Sequence, residues 1–215
     1  MSSHGWSLGD FWHTQNNAIF DNVPEHDVDT YDNFNLLNEI TYSLFAIDAT
    51  SSSRIDKTFG KSFMLMYMMN LIGEAHSPFN NVNKFSSKHK DGDNFGKDYK
   101  VGGSQSNIHD LWGNGLGLFS TMKFPLSMGD EVKGYANEIL RKYSRDNLSA
   151  DLKDDSKKSW SDHAKDIAIN NGYTLAEGAT PSTSYLEEGK ELLMKQIALA
   201  GFRVSDQVAY CFSKQ

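Results

Sequence analysis

The feature that most constrains the fold is an almost entirely apolar segment, residues 56–75, with the spacing of one long helix. Large side chains recur there at steps of three and four residues: Phe59, Phe63, Met66, Tyr67, Asn70, Leu71 and Glu74. This period is typical of an α-helix. Pro78 is predicted to end it. Because the segment is apolar nearly all round, we expect a buried central helix.

The rest of the chain also favours helices. Apolar residues at helical spacing predict helices over Asn35–Ile47, Ile108–Phe119, Glu131–Tyr143 and Trp160–Asn170, and a last long helix that opens at Pro181 and Ser182. The polar stretch between residues 80 and 106 predicts a long loop, with or without a short hairpin. The class is therefore all-α, a multi-helix bundle.

Composition narrows the classes of function. The chain has 215 residues, which favours one domain over residues 1–215. A net charge of −7 argues against a general electrostatic grip on nucleic-acid backbones, although metal cations can supply local positive charge. Cys211 is the sole cysteine, so no disulfide forms within the chain. The longest apolar run, Phe63–Met69, is far too short to span a bilayer.

Glu74 is the residue from which a functional site is predicted. It lies four residues after Asn70, on the same face of the predicted helix. A buried carboxylate is costly unless it is paired or binds a cation, so its partner would be a metal, a histidine or a lysine. Further candidate site residues follow in the sequence. His76 and Asn80 come at the helix exit, and His109 and Gly113 lie four residues apart on the next predicted helix.

Four segments carry a resemblance to a known family. Residues 65–80 (LMYMMNLIGEAHSPFN) resemble the signature of the zinc-dependent single-strand-specific nucleases of fungi and plants, in which a helical histidine precedes Ile-Gly-Asp and a Gln-Pro-Leu-His turn. Residues 107–113 (NIHDLWG) resemble that family's Asn-Leu-His-x-x-Trp-Asp motif. Residues 92–94 (GDN) lie where it has Gly-Gly-Asn, and residues 196–204 (QIALAGFRV) are similar to its closing helix.

This resemblance implies a helical bundle shared with zinc-dependent phospholipase C, with three zinc ions in a cleft. The family hydrolyses phosphodiesters of single-stranded DNA and RNA and removes 3′-phosphates from nucleotides. Clustered metals suit this chemistry because they lower the pKa of a shared water and absorb charge on the phosphate. Relatives are usually secreted or vacuolar/lysosomal, although this chain shows no signal peptide, so the compartment stays open.

Position by position, the resemblance implies a depleted metal site. Glu74 takes the place of the zinc-bridging aspartate and would serve as the catalytic residue and a metal ligand. His109 keeps a ligand histidine, and His13 is a looser match to another. Family ligands are replaced at Asn70, Asn80 and Gly113, and Asn94 is the candidate substrate-binding residue. The family's N-terminal ligands have no counterpart, as if the first part of the family domain were missing.

Two functions follow as hypotheses. The first is a zinc-dependent nuclease of single-stranded DNA, RNA or nucleotides, impaired by the lost ligands, with fewer zinc ions or none. The second is a catalytically inactive relative that binds a nucleotide, a lipid headgroup or a protein. Asparagine is a poor zinc ligand, which favours the second for turnover. Both require the Glu74 carboxyl group and the His109 imidazole to converge on one pocket. His76 is predicted to cap the helix or to hydrogen-bond near its end, with recruitment as an unorthodox metal ligand as the alternative.

Overall fold

The computed structural model describes residues 12–29, 35–48, 57–122 and 129–213. These residues form helices and one short sheet: β1 (Ala18–Asp21), α1 (Leu36–Asp48), α2 (Lys57–Ala75), β2 (Asn83–Ser86), α3 (Ile108–Gly113), α4 (Asp130–Lys142), α5 (Ser149–Leu152), α6 (Lys157–Asn170) and α7 (Thr183–Ser213). The predicted all-α class is confirmed. Among the described helices, none combines the length and the apolar character that crossing a membrane would require.

The long helix α2 is buried on one face only. Its inward face packs against α1, α6 and α7 in an apolar cluster that contains Met68, Leu71 and Ile72. The predicted all-round burial of α2 is wrong: Phe59 is 67% exposed and Phe63 is 52% exposed. Both faces of α2 are apolar, so the period of the sequence alone cannot select the face that meets the core.

The two strands explain how the segment before α1 is held. β1 pairs with β2 in parallel, with Ala18 opposite Asn83 and Asp21 opposite Ser86. The sequence did not predict β1, and β2 pairs with it instead of forming a hairpin within residues 80–106. This pairing fixes residues 13–17 beside the exit of α2, where the backbone N–H of Gln15 donates to the Asn80 carbonyl at 2.8 Å.

The helix after this loop is shorter than predicted. Asn107 caps α3, its side chain accepting from the backbone N–H of Asp110. The helix ends at Gly113 because Gly115 and Leu116 take left-handed backbone angles, with φ of 74° and 54°. The predicted continuation to Phe119 is therefore wrong. Trp112 is buried in a second apolar cluster, against the ring of Phe79.

The C-terminal half agrees with the sequence. Helices α4, α6 and α7 occupy the predicted segments to within a few residues at each end. Ser156 caps α6 by accepting from the backbone N–H of Ser159. α7 contacts α2, α4 and α5, so the last helix joins the two ends of the bundle.

Candidate active site

Three side chains surround the Glu74 carboxyl group at the end of α2. The Asn70 amide donates to Oε1 at 3.5 Å, and the Asn80 amide donates to Oε2. The Nδ1 atom of His13 lies 3.8 Å from Oε1. The side chain of Glu74 is 27% exposed, so it stands at the edge of the interior. Burial raises its pKa, and the Asn70 hydrogen bond and the charge of Lys97 oppose that shift.

His109 is oriented by a backbone carbonyl. Its Nδ1 lies 2.9 Å from the Phe95 carbonyl oxygen, which can only accept, so Nδ1 carries the proton. Burial lowers the pKa of His109, so the ring is neutral at pH 7 with its lone pair on Nε2. Metal-ligating and catalytic histidines usually have this arrangement, in which one ring nitrogen donates to a carbonyl and the other stays available.

Glu74 and His109 have one charged neighbour in common. The ammonium group of Lys97 lowers the pKa of both groups electrostatically. Their direct partners differ: Glu74 meets His13 and the two asparagines, and His109 meets the Phe95 carbonyl. Gly113 lies one turn beyond His109, is exposed, and has no atom within 4 Å of the place a Cβ would take. An aspartate would fit there without displacing a neighbour.

A buried carboxylate holds the loop that orients His109. Asp93 is fully buried and accepts from the backbone N–H groups of Lys84 at 3.0 Å and Gly96 at 3.1 Å. The Tyr173 hydroxyl donates to its second oxygen at 2.6 Å. Sequence reasoning placed Asp93 in a turn and missed this role. The sequence feature that could have indicated this turn is a pair of nearby glycines, Gly92 and Gly96, which both take a positive φ.

The candidate substrate residue Asn94 lines a polar cavity of about 540 Å³. Its backbone is left-handed, with φ of 54°, and its side chain is exposed. Asn16 and Asn83 also line the cavity, and within the described chain their buried Oδ1 atoms have no hydrogen-bond partner. Both oxygens are closed to solvent, so the cavity offers a ligand its exposed side chains, such as Asn94, and not these atoms.

His76 points away from Glu74, into the bundle. Its Nδ1 donates to the Ile72 carbonyl at 2.6 Å, and its Nε2 accepts from Arg203 at 2.6 Å. The predicted hydrogen bond near the helix end is therefore confirmed. The Arg203 guanidinium also lies over the Trp160 ring, 4.8 Å from its centroid. Burial lowers the pKa of His76 to about 4, so the ring is neutral at pH 7.

The donor set does not fit a centre of three zinc ions. Zinc prefers imidazole, thiolate and carboxylate ligands. In residues 12–29, 35–48, 57–122 and 129–213, no group of three or more such side chains is placed to hold a metal. Glu74 and His13 are two ligand types at one point, whereas Asn70 and Asn80 turn amide N–H groups towards the carboxylate.

A carboxylate with an imidazole beside it at the end of a helix is found in many helical proteins that bind metals or perform hydrolysis. A comparison with protein families assigns the class: the sequence model described as S1/P1 Nuclease matches residues 6–213. The chain therefore belongs to the S1/P1 nuclease family, which has a helical, phospholipase C-like fold. A search of curated proteins found no significant match.

Proposed function

We propose that this protein binds single-stranded nucleic acid in the cleft around Glu74 and that its hydrolytic activity is impaired. The family it belongs to consists of nucleases, which gives the substrate class. The observation that carries the impairment is the set of partners around Glu74. Two amide groups donate to the carboxylate, and the His13 imidazole lies 3.8 Å from it.

The polar cavity beside Asn94 supports binding of a nucleotide. Exposed Asn94 and Lys90 line it, an amide that can hydrogen-bond a nucleobase edge and an ammonium that can contact a phosphate. The ammonium of Lys97, close enough to act on Glu74 and His109, supplies positive charge for a phosphate in a chain whose net charge is −7. Binding therefore depends on local groups and not on the overall charge.

The residues at this site retain part of the machinery for hydrolysis. Neutral His109 can accept a proton at Nε2, and Glu74 can orient a water molecule through its exposed edge. Without a full set of cations, the charge that develops on the phosphate is met by Lys97 alone. Phosphodiester cleavage depends heavily on such charge stabilisation, so we expect slow turnover.

The test combines elemental analysis, binding and cleavage. We expect fewer than about one zinc ion per purified chain, measurable binding of a fluorescent single-stranded oligonucleotide, and little cleavage that EDTA suppresses. Asn94→Gly should weaken binding, because it removes the exposed amide that lines the cavity and still permits the left-handed backbone. Two or more zinc ions per chain, with fast chelator-sensitive cleavage, would refute the impairment. A lack of any oligonucleotide binding would refute the proposed ligand.

A second candidate is a nuclease with one residual zinc ion, favoured by the approach of His13 to Glu74 at 3.8 Å. Under that alternative, His13→Gln would remove both the zinc and the chelator-sensitive cleavage. Under the main proposal, the same variant leaves the low cleavage rate unchanged.

A further inference from the structure

An exposed ladder of aromatic rings runs along α2 towards Glu74. The rings of Phe59 and Phe63 lie 6.5 Å apart at an interplanar angle of 21°, and those of Phe63 and Tyr67 lie 6.3 Å apart at 13°. The three residues are spaced by four, so helix geometry places them on one face. The ladder is thus a row of nearly parallel rings in which Phe59 and Phe63 are more than half exposed and Tyr67 packs partly against the apolar core.

The ladder ends at the candidate active site. The Tyr67 ring meets the His13 ring edge to face, with centroids 6.2 Å apart at 87°. His13 in turn lies 3.8 Å from the Glu74 carboxyl group. A strand that leaves Glu74 and runs along α2 would pass Tyr67 first and then Phe63. The ladder and the site therefore form one continuous surface.

Two of the three ladder rings, those of Phe59 and Phe63, are more than half exposed to solvent. Phe59 is 67% exposed and Phe63 is 52% exposed, whereas Ile72, on the opposite side of α2 from Phe63, is fully buried. Large apolar side chains left exposed in a row usually mark a binding surface.

We infer that the ladder is a stacking platform for the bases of single-stranded nucleic acid beyond the nucleotide in the cleft. This inference rests on the proposed function. Every base has a flat π-face, so parallel exposed rings bind a strand with little regard to sequence. The charge of α2 also favours a nucleic acid strand, because the helix carries Lys61 and has no acidic residue before Glu74.

The shape of the surface favours a strand over a second protein. A specific protein interface buries about 800 Å² on each partner and involves some 20 to 30 residues. The exposed apolar residues described on α2 form one narrow strip: Phe59, Phe63, Met66 and Met69. A strip one helix wide suits an extended chain of nucleotides, which needs contact only along its length.

The test compares ring removal with base removal. We would measure the anisotropy of a fluorescent 12-nucleotide oligothymidine, of the same strand with abasic sugars, and of a thymidine dinucleotide. The variants are Phe63→Leu, which keeps an apolar side chain but no ring, and Phe63→Trp, which enlarges the ring. Met66→Leu, also exposed on α2, is the matched control.

The expected result is specific to the longer strand. Phe63→Leu should bind the 12-mer about tenfold more weakly, the loss of one stacked base, and leave the dinucleotide within about twofold. Phe63→Trp should retain or improve 12-mer binding, and Met66→Leu should match the wild type. The wild type should prefer the base-bearing strand to the abasic strand, and Phe63→Leu should lose that preference.

Three outcomes would overturn the inference, and they are distinguishable. If the wild type binds both the dinucleotide and the 12-mer and Phe63→Leu does the same, the ladder is not a platform although the proposed function stands. If the wild type binds neither probe, the proposed function fails and the ladder inference fails with it. If the wild type is a dimer by light scattering and Phe63→Leu is a monomer, a second copy covers the face.

Discussion

Two carboxylates in this protein, Glu74 and Asp93, share an environment but differ in partners. Burial raises the pKa of both groups, so the direction of that shift does not separate them. Asp93 is fully buried and saturated by two backbone N–H groups and one hydroxyl. Glu74 is partly exposed and meets only side chains, two amides and one imidazole.

The difference teaches how to tell a structural carboxylate from a functional one. Backbone donors are fixed by the fold, so the hydrogen bonds of Asp93 hold the loop that carries Phe95 and orients His109. Side-chain amides can turn away, so the Glu74 carboxylate can exchange its partners for a ligand. Asp93 thus positions the site, while Glu74 is a part of it that can contact substrate.

The largest expected effect comes from removing the saturated carboxylate. Asp93→Ala leaves two buried N–H groups and the Tyr173 hydroxyl without an acceptor, and we expect a loss of about 3–5 kcal/mol in the free energy of unfolding. Urea denaturation measures it. Asp91→Ala, an exposed aspartate two residues earlier, is the control and should stay within about 0.5 kcal/mol of the wild type. A loss below about 1 kcal/mol for Asp93→Ala would contradict its assigned role.

The second effect is acid sensitivity next to Glu74. Burial lowers the pKa of His76 to about 4, below the ordinary value of 6.5. The unfolded chain therefore takes up this proton first, so stability is full above pH 6.5 and falls as the pH drops towards 4. The shift corresponds to about 3 kcal/mol.

Urea denaturation between pH 7 and pH 4 checks this slope. His76→Gln should flatten it, and His26→Gln, an exposed histidine, should not. Parallel pH profiles for the wild type and His76→Gln would show that another group is responsible.

Restoring the family's zinc-ligand types around Glu74 should make the stability of the protein depend on zinc. The combination Asn70→His, Asn80→His and Gly113→Asp replaces two amide donors by imidazoles and adds a carboxylate where a Cβ has free space. At a zinc concentration 100 times the dissociation constant, we expect a gain of about 2.7 kcal/mol in stability.

Thermal unfolding with and without zinc, together with elemental analysis, measures this gain. The control carries Asn114→Asp in place of Gly113→Asp, and it should take up less zinc. The wild type should gain little. A wild type that responds to zinc as strongly as the restored variant would show that its ligands are not depleted.

The smallest effect separates the two carboxylates most directly. At neutral pH, a carboxyl group whose pKa is raised by burial costs stability when ionised, and that cost appears as the pH rises through its pKa. Glu74→Gln should therefore stabilise the chain by about 0.5–1 kcal/mol at pH 7, as expected at functional sites. Asp93→Leu, which is similar in size but has no acceptor, should destabilise, because two backbone N–H groups and the Tyr173 hydroxyl lose their partners. If urea denaturation shows that both variants change the free energy of unfolding in the same direction, the distinction between Glu74 and Asp93 is wrong.

The candidate site was partly accessible from the sequence. The spacing of Asn70 and Glu74, and the order of the motifs, predicted that they share a helix face, and the structure brings His13 and Asn80 to the same carboxylate. The role of Asp93 was not predictable, because its donors come from Lys84 and Tyr173, the latter 80 residues away. Local pattern contains no information on such distant partners.

The sequence by itself determined the helical class, the positions of α1, α4, α6 and α7, and the family motifs, because these depend on residue types at short spacing. Only the tertiary structure decided which face of α2 meets the core. Both faces are apolar, so burial was settled by the neighbours α1, α6 and α7 packing on Met68 and Leu71. Phe59 and Phe63 were thereby left exposed, and Tyr67, partly buried against that cluster, links them to His13 and Glu74.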